Sequence, residues 1–134
     1  MTSPRVARTT ALTSAGAAAA LCAAQDEALA IGVPVTVAVL DGGGAIKSLS
    51  RMDGAPLISI ETATSKAYAA VAIGMPPDDF FQVIKDDPAA VASFGTRPGL
   101  ALIAGGLPVV VDGVVIAGIG VADAMTGAED PEDR

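Results

Sequence analysis

The spacing of apolar positions along this chain changes several times, and each change predicts an element. Thr9 to Ile31 is an alanine-rich stretch and reads as a helix, with Thr9, Thr10 or Thr13 available as its cap and Gly32 followed by Pro34 as its stop. Val35–Leu40 is a continuous apolar, β-branched run and Ala45–Arg51 a second strand. Asp41-Gly42-Gly43-Gly44 between them signals a hairpin, because glycine accepts the positive φ of a tight turn. From Ser59 the period becomes helical: Ile60, Ala63, Ala67, Val71 and Gly74 share a core-facing stripe, Glu61, Ser65 and Tyr68 a second face, and Thr62, Lys66 and Ala69 a third. Ala63, Ala67 and Ala70 are small enough to let another backbone approach, which suits a sheet or a subunit interface.

Gly74-Met75-Pro76-Pro77 ends that helix and opens a short one, with Asp78 and Asp79 in its first turn and Phe80-Phe81 plugging the edge of the core. Asp86–Gly99 carries Pro88, Gly95, Pro98 and Gly99 and reads as a loop with one helical turn at Ala89–Ala92, a candidate pocket wall. Leu100–Ala104, Pro108–Val111 and Val114–Val121 read as three strands joined by Gly105-Gly106 and Asp112-Gly113. The predicted order is α-β-β-α-α-β-β-β: an α+β domain over residues 1–134 with one five-stranded antiparallel sheet and helices packed on it. Residues 1–8 are expected to be a flexible N-terminus and 124–134 an acidic tail. Asp130-Pro131-Glu132-Asp133 has the form of a helix start that does not continue, so either a terminal helix is missing or the segment is a frayed tail.

Composition adds three constraints. A chain of 134 residues is one domain, and 51% apolar residues with only 3% aromatics means a core of Ala, Val, Ile and Leu. That much apolar surface on a small domain predicts a homo-oligomer, dimer to octamer, with a buried subunit interface. The net charge is −7 and the eight basic residues are scattered, which excludes the electrostatic footprint of nucleic-acid binding.

One cysteine, Cys22, excludes an intramolecular disulfide, and the absence of histidine removes the common metal clusters, so no metal site is expected. Arg5 and Arg8 before Ala11–Ala24 loosely mimic a secretion signal. Alanine's helix propensity, and Leu21 standing where a lipoprotein site wants a small residue before Cys22, favour a structural helix and a cytoplasmic location. Leu100–Val111, the longest apolar run, is interrupted by Gly105-Gly106 and Pro108, so no membrane span is expected.

Two glycine motifs are set aside. Lys47 follows Ile46 rather than Gly and a strand rather than a helix comes next, so the Gly42–Gly44 run is not a phosphate loop. Gly118-Ile119-Gly120 lies late in a strand without a third glycine, and reads as close packing or a bulge rather than a dinucleotide fingerprint.

Four stretches in order, Val37–Gly44, Arg51-Met52-Asp53-Gly54-Ala55, Glu61–Ala67 and Gly105–Gly113, resemble the GlcG/HbpS-like family, whose members include haem-binding proteins and the C-terminal domain of PduO-type proteins. The resemblance covers Ala11 to Val121 and implies a profilin-like fold, dimer to octamer assembly and a haem or related small ligand. Two departures stand out: Gly120-Val121-Ala122-Asp123 replaces a Gly-Val-Ser-Gly-Gly pattern, and no histidine is present to ligate haem iron. Tyr68, Cys22 or a methionine would have to serve instead.

The polar residues where the second strand hands over to the next helix are the site candidates. In a binding module, Arg51 receives an anionic group of a small organic ligand, Met52 offers an adaptable wall, and Asp53, Lys66 and Tyr68 complete the pocket beside the glycine-rich hairpins. In an isomerase, cyclase or lyase acting on a carbonyl compound, Asp53 or Glu61 is the base and Lys66 or Arg51 stabilises the oxyanion. In a purely structural reading, Arg51, Asp53 and Lys66 pin the turn through ion pairs.

Overall fold

The structure, a computed structural model, describes residues 4–124. Its elements are α1 (Ser14–Ile31), β1 (Thr36–Asp41), β2 (Ile46–Arg51), α2 (Ile58–Ile73), α3 (Pro77–Ile84), α4 (Pro88–Gly95), β3 (Gly106–Val111) and β4 (Val114–Ala122). The acidic segment and the expected helix start at Asp130-Pro131 lie outside the described residues.

The continuous apolar run of β1 makes it an interior strand covered on both faces. Val37 and Val39 face α1, packing with Ala17, Leu21 and Ala28, while Ala38 and Leu40 face α2, packing with Ala63 and Ala67. Each valine or leucine buried this way is worth about 1.5–3 kcal/mol. The sheet order is β2-β1-β4-β3 with every pairing antiparallel.

α1 starts at Thr13, whose hydroxyl accepts the Gly16 N–H at 3.0 Å, and ends at Gly32 in the left-handed region. α2 has no side-chain cap; instead the fully buried Ser59 donates to the Pro56 carbonyl and shares a 2.7 Å hydrogen bond with Thr36 Oγ1, tying the start of α2 to β1. The Asp41-Gly42-Gly43-Gly44 hairpin forms as expected, with Asp41 Oδ1 accepting from Gly43 and Ala45 at 2.9 and 3.0 Å. At the Asp112-Gly113 turn both residues have positive φ, 50° and 76°, as a two-residue hairpin requires.

Two expectations are corrected. Among the described residues the sheet has four strands, not five: Leu100–Ala104 is irregular and half-buried. The reason lies in β3. Val121 N–H donates to Gly105 O at 2.9 Å, so Gly106–Gly120 is a non-hydrogen-bonded pair, and Pro108, two residues on opposite Gly118, turns its nitrogen to the outer edge. A strand added there would find no donor at Pro108. The second correction is a fourth helix. Asp87 caps α4 by accepting from Ala89 and Ala90, and Pro88 suits the first helical position, so the single expected turn extends to Gly95.

No helix among the described residues is long and apolar enough to cross a membrane.

Candidate functional site

The strand-to-helix turn is ordered by its backbone. Met52 N–H donates to Val35 O at 2.9 Å, Ala55 N–H to Met52 O at 3.0 Å, and the Arg51 guanidinium to Ala55 O at 2.9 Å rather than to Asp53. Arg51, Met52 and Asp53 stand with Gln25, Leu29 and Ser50 around a shallow 390 Å³ depression between β2 and α1, where Gln25 Nε2 donates to Ser50 Oγ at 2.7 Å. These three candidates are therefore brought together.

The other three lie elsewhere. Glu61 is exposed in the first turn of α2, where a carboxylate complements the helix dipole. Lys66 is fully buried, and its ammonium donates to the Val121 carbonyl at 3.0 Å beneath the Gly105-Gly106 corner. A Cβ on Gly105 would stand 2.8 Å from Lys66 Nζ, so the glycine is what lets the chain pass over the lysine. The lysine's long stem is packed into the α2–β4 layer, and neither cavity that holds the other candidates is lined by it.

Tyr68 is 40% exposed, and its ring lies against Gly44, whose φ is +85°; a Cβ there would be 3.2 Å from Tyr68 Cε1. Together with Leu40, Thr64, Ser65, Pro98 and Gly99 these residues enclose a 300 Å³ cleft. An aromatic residue, two hydroxyl-bearing residues and apolar neighbours line it together, the mixture that typically orients a small organic molecule. Thr64 Oγ1 already donates to Ile60 O at 2.7 Å, which leaves its lone pairs to accept.

Sequence reasoning placed Ser65 and Tyr68 on one helical face but did not join them to Thr64 or the Gly44 turn. The available signal was the glycine-rich hairpin, since a turn without side chains leaves room for a neighbouring ring. The Asp86–Gly99 stretch, expected as a pocket wall, contributes Pro98 and Gly99.

Haem is the group the family resemblance suggests, and the residues do not fit a histidine-ligated one, since the chain contains no histidine. Tyr68 offers a phenol in the cleft, Cys22 is exposed on α1, and Met52 belongs to the other depression. Among the described residues no group of three His, Cys, Asp or Glu side chains could hold a metal ion.

An antiparallel sheet between α1 and α2, with a small cleft at its glycine-rich hairpin, defines a class of α+β proteins. Residues 12–132 match the family described as haem degrading protein HbpS-like, and the chain belongs to that family. It is 35% identical over 106 residues to the protein GlcG of Escherichia coli strain K12, covering 79% of this chain and 77% of that protein.

Among solved structures, a double mutant of HbpS from Streptomyces reticuli superposes with a TM-score of 0.81 at 34% identity, covering 92% of this chain and 82% of the other. A PduOC–haem complex superposes with a TM-score of 0.78 at 26% identity, covering 87% of this chain and 86% of that one.

Proposed function

We propose that this HbpS-like chain is a small-molecule-binding protein whose ligand occupies the Tyr68 cleft. The observation that carries the reading is that Tyr68, Thr64, Ser65 and Leu40 line one cleft at the Gly44 hairpin. The solved PduOC–haem complex supports a planar organic ligand, and the 300 Å³ volume, at the small end for ligand sites, favours one smaller than a whole porphyrin. The acid–base reading has less support, because Asp53 lines the depression between β2 and α1 whereas Lys66 is buried against the Val121 carbonyl and Glu61 is exposed in the first turn of α2.

Native mass spectrometry of the purified protein, beside an absorbance titration with haemin, tests this. A co-purifying molecule or saturable haemin binding should be lost in Ser65→Phe, which fills the cleft. Binding kept by folded Ser65→Phe would remove the cleft as the site.

We also infer a homo-oligomer. Leu57, Ile58, Leu107 and Val114 are 77%, 60%, 60% and 55% exposed, apolar side chains that a subunit interface would cover. Light scattering that gives the monomer mass at micromolar concentration would contradict this.

A further inference from the structure

One wall of the Tyr68 cleft is made by Pro98 and Gly99, which follow the end of α4 after Thr96 and Arg97. α4 contains no buried residue, so it has little apolar packing of its own to fix its position. Its position is set by an aromatic stack. The Phe94 ring meets Phe80 of α3 edge-on, with centroids 5.0 Å apart and planes at 81°, and the Arg97 guanidinium lies over the Phe94 ring, 4.6 Å from its centroid. The Arg97 N–H also donates to Phe94 O at 3.2 Å, and Thr96 Oγ1 to Ser93 O at 3.1 Å, closing the end of the helix.

The link from this stack to the cleft is stiff. Proline fixes its own φ and restricts the residue before it, so the placement of Arg97 is passed on to Pro98 with little slack. We propose that Phe94 and Arg97 are positioning residues that hold the Pro98-Gly99 wall in place through Phe80 and so set the width of the Tyr68 cleft. The proposal rests on the reading of that cleft as the ligand site. Neither residue lines the cleft, so both act through the wall.

The chain contains one tyrosine and no tryptophan, which makes Tyr68 fluorescence a reporter of this cleft alone. The experiment is collisional quenching of that emission by acrylamide in the full chain, with far-ultraviolet circular dichroism as the check on folding. In Phe94→Ala and Arg97→Ala the wall is released, and the quenching constant should rise roughly 1.5-fold or more at unchanged dichroism, as expected when a locally held segment opens. Arg97→Lys, which keeps a cation over the ring, should stay near the wild-type value. Val83→Ala, on an exposed position of α3, should not move it.

An unchanged constant in folded Phe94→Ala and Arg97→Ala overturns the proposal. Should Phe94→Ala disturb the dichroism, Arg97→Ala and Phe94→Leu decide the matter in the same way. Acrylamide requires no ligand, so a flat result would sink the positioning role while leaving the cleft itself as a site. Loss of ligand binding in Ser65→Phe tests the cleft separately.

Discussion

The α-carbon of Gly120 in β4 lies directly under the carbonyl oxygen of Ala63 in α2, so that a Cβ at Gly120 would overlap that oxygen and the Ala67 nitrogen. Gly118 stands in the same relation to the Ala67 carbonyl. Helix and strand meet backbone to backbone, and the small side chains of Ala63, Ala67 and Ala70 complete the contact. Gly120→Ala must therefore push α2 away from the sheet. Overpacking of this kind costs about 1–3 kcal/mol, and here the obstruction is backbone, which cannot rotate aside. Urea unfolding should show a lower midpoint, and an unchanged midpoint would refute the close contact.

The buried hydrogen bond between Thr36 and Ser59 makes a different kind of prediction. Ser59→Ala leaves the Thr36 hydroxyl buried without this partner, at a cost of about 1–3 kcal/mol. Adding Thr36→Val removes the orphaned group, so the double variant should recover much of the loss. Thermal melts of the two single variants and the double one measure the coupling, and strictly additive losses would argue against it.

How much of this was legible in the sequence depends on whether the signal was local. The Gly32 stop, the Asp41-Gly42-Gly43-Gly44 hairpin and the Asp112-Gly113 turn were readable because each is written in consecutive residues with few backbone solutions. Gly118 and Gly120 could be read as close-packing positions, although not against which carbonyls. Leu100–Ala104 looked like a strand because it is apolar, but a strand needs an edge, and the edge next to it is closed by the outward nitrogen of Pro108.

The candidate site fared the same way. Arg51, Met52 and Asp53 are neighbours in sequence and remain neighbours in space. Lys66 and Tyr68 are two residues apart on a helix, which turns their side chains in different directions: one into the α2–β4 layer, the other over Gly44. The contributions of Leu40, Pro98 and Gly99 depend on long-range packing that no spacing encodes.

Lys66 is the residue for which chemical and structural roles differ most sharply. Its ammonium donates to the Val121 carbonyl with no exposed surface, so Lys66→Met removes a charge-assisted hydrogen bond inside the fold. The expected loss is about 1.5–3 kcal/mol in stability, read from denaturant unfolding. Ligand binding by the folded variant should be unchanged. A variant as stable as wild type but unable to bind ligand would instead make Lys66 a binding group that becomes accessible in solution.

The two depressions can be told apart by crossing their variants. Asp53 is exposed and Arg51 bonds a backbone carbonyl rather than Asp53, so Asp53→Asn should change stability by no more than about 0.5 kcal/mol, the range of ordinary surface substitutions. If the ligand occupies the Tyr68 cleft, Asp53→Asn should bind as wild type does. Tyr68→Phe, which keeps the ring and removes only the hydroxyl, should weaken binding by roughly 2- to 12-fold if that hydroxyl makes one neutral hydrogen bond worth about 0.5–1.5 kcal/mol. If instead the Arg51–Met52–Asp53 depression holds the ligand, the pattern reverses: Asp53→Asn weakens binding at unchanged melting temperature, and Tyr68→Phe has no effect. Both substitutions preserve shape, so a change in affinity would reflect lost polar contacts rather than a collapsed pocket. Titration of both variants with the same ligand, haemin or the co-purifying molecule, distinguishes the cases, and the reversed pattern would move the site from the Gly44 hairpin to the end of β2.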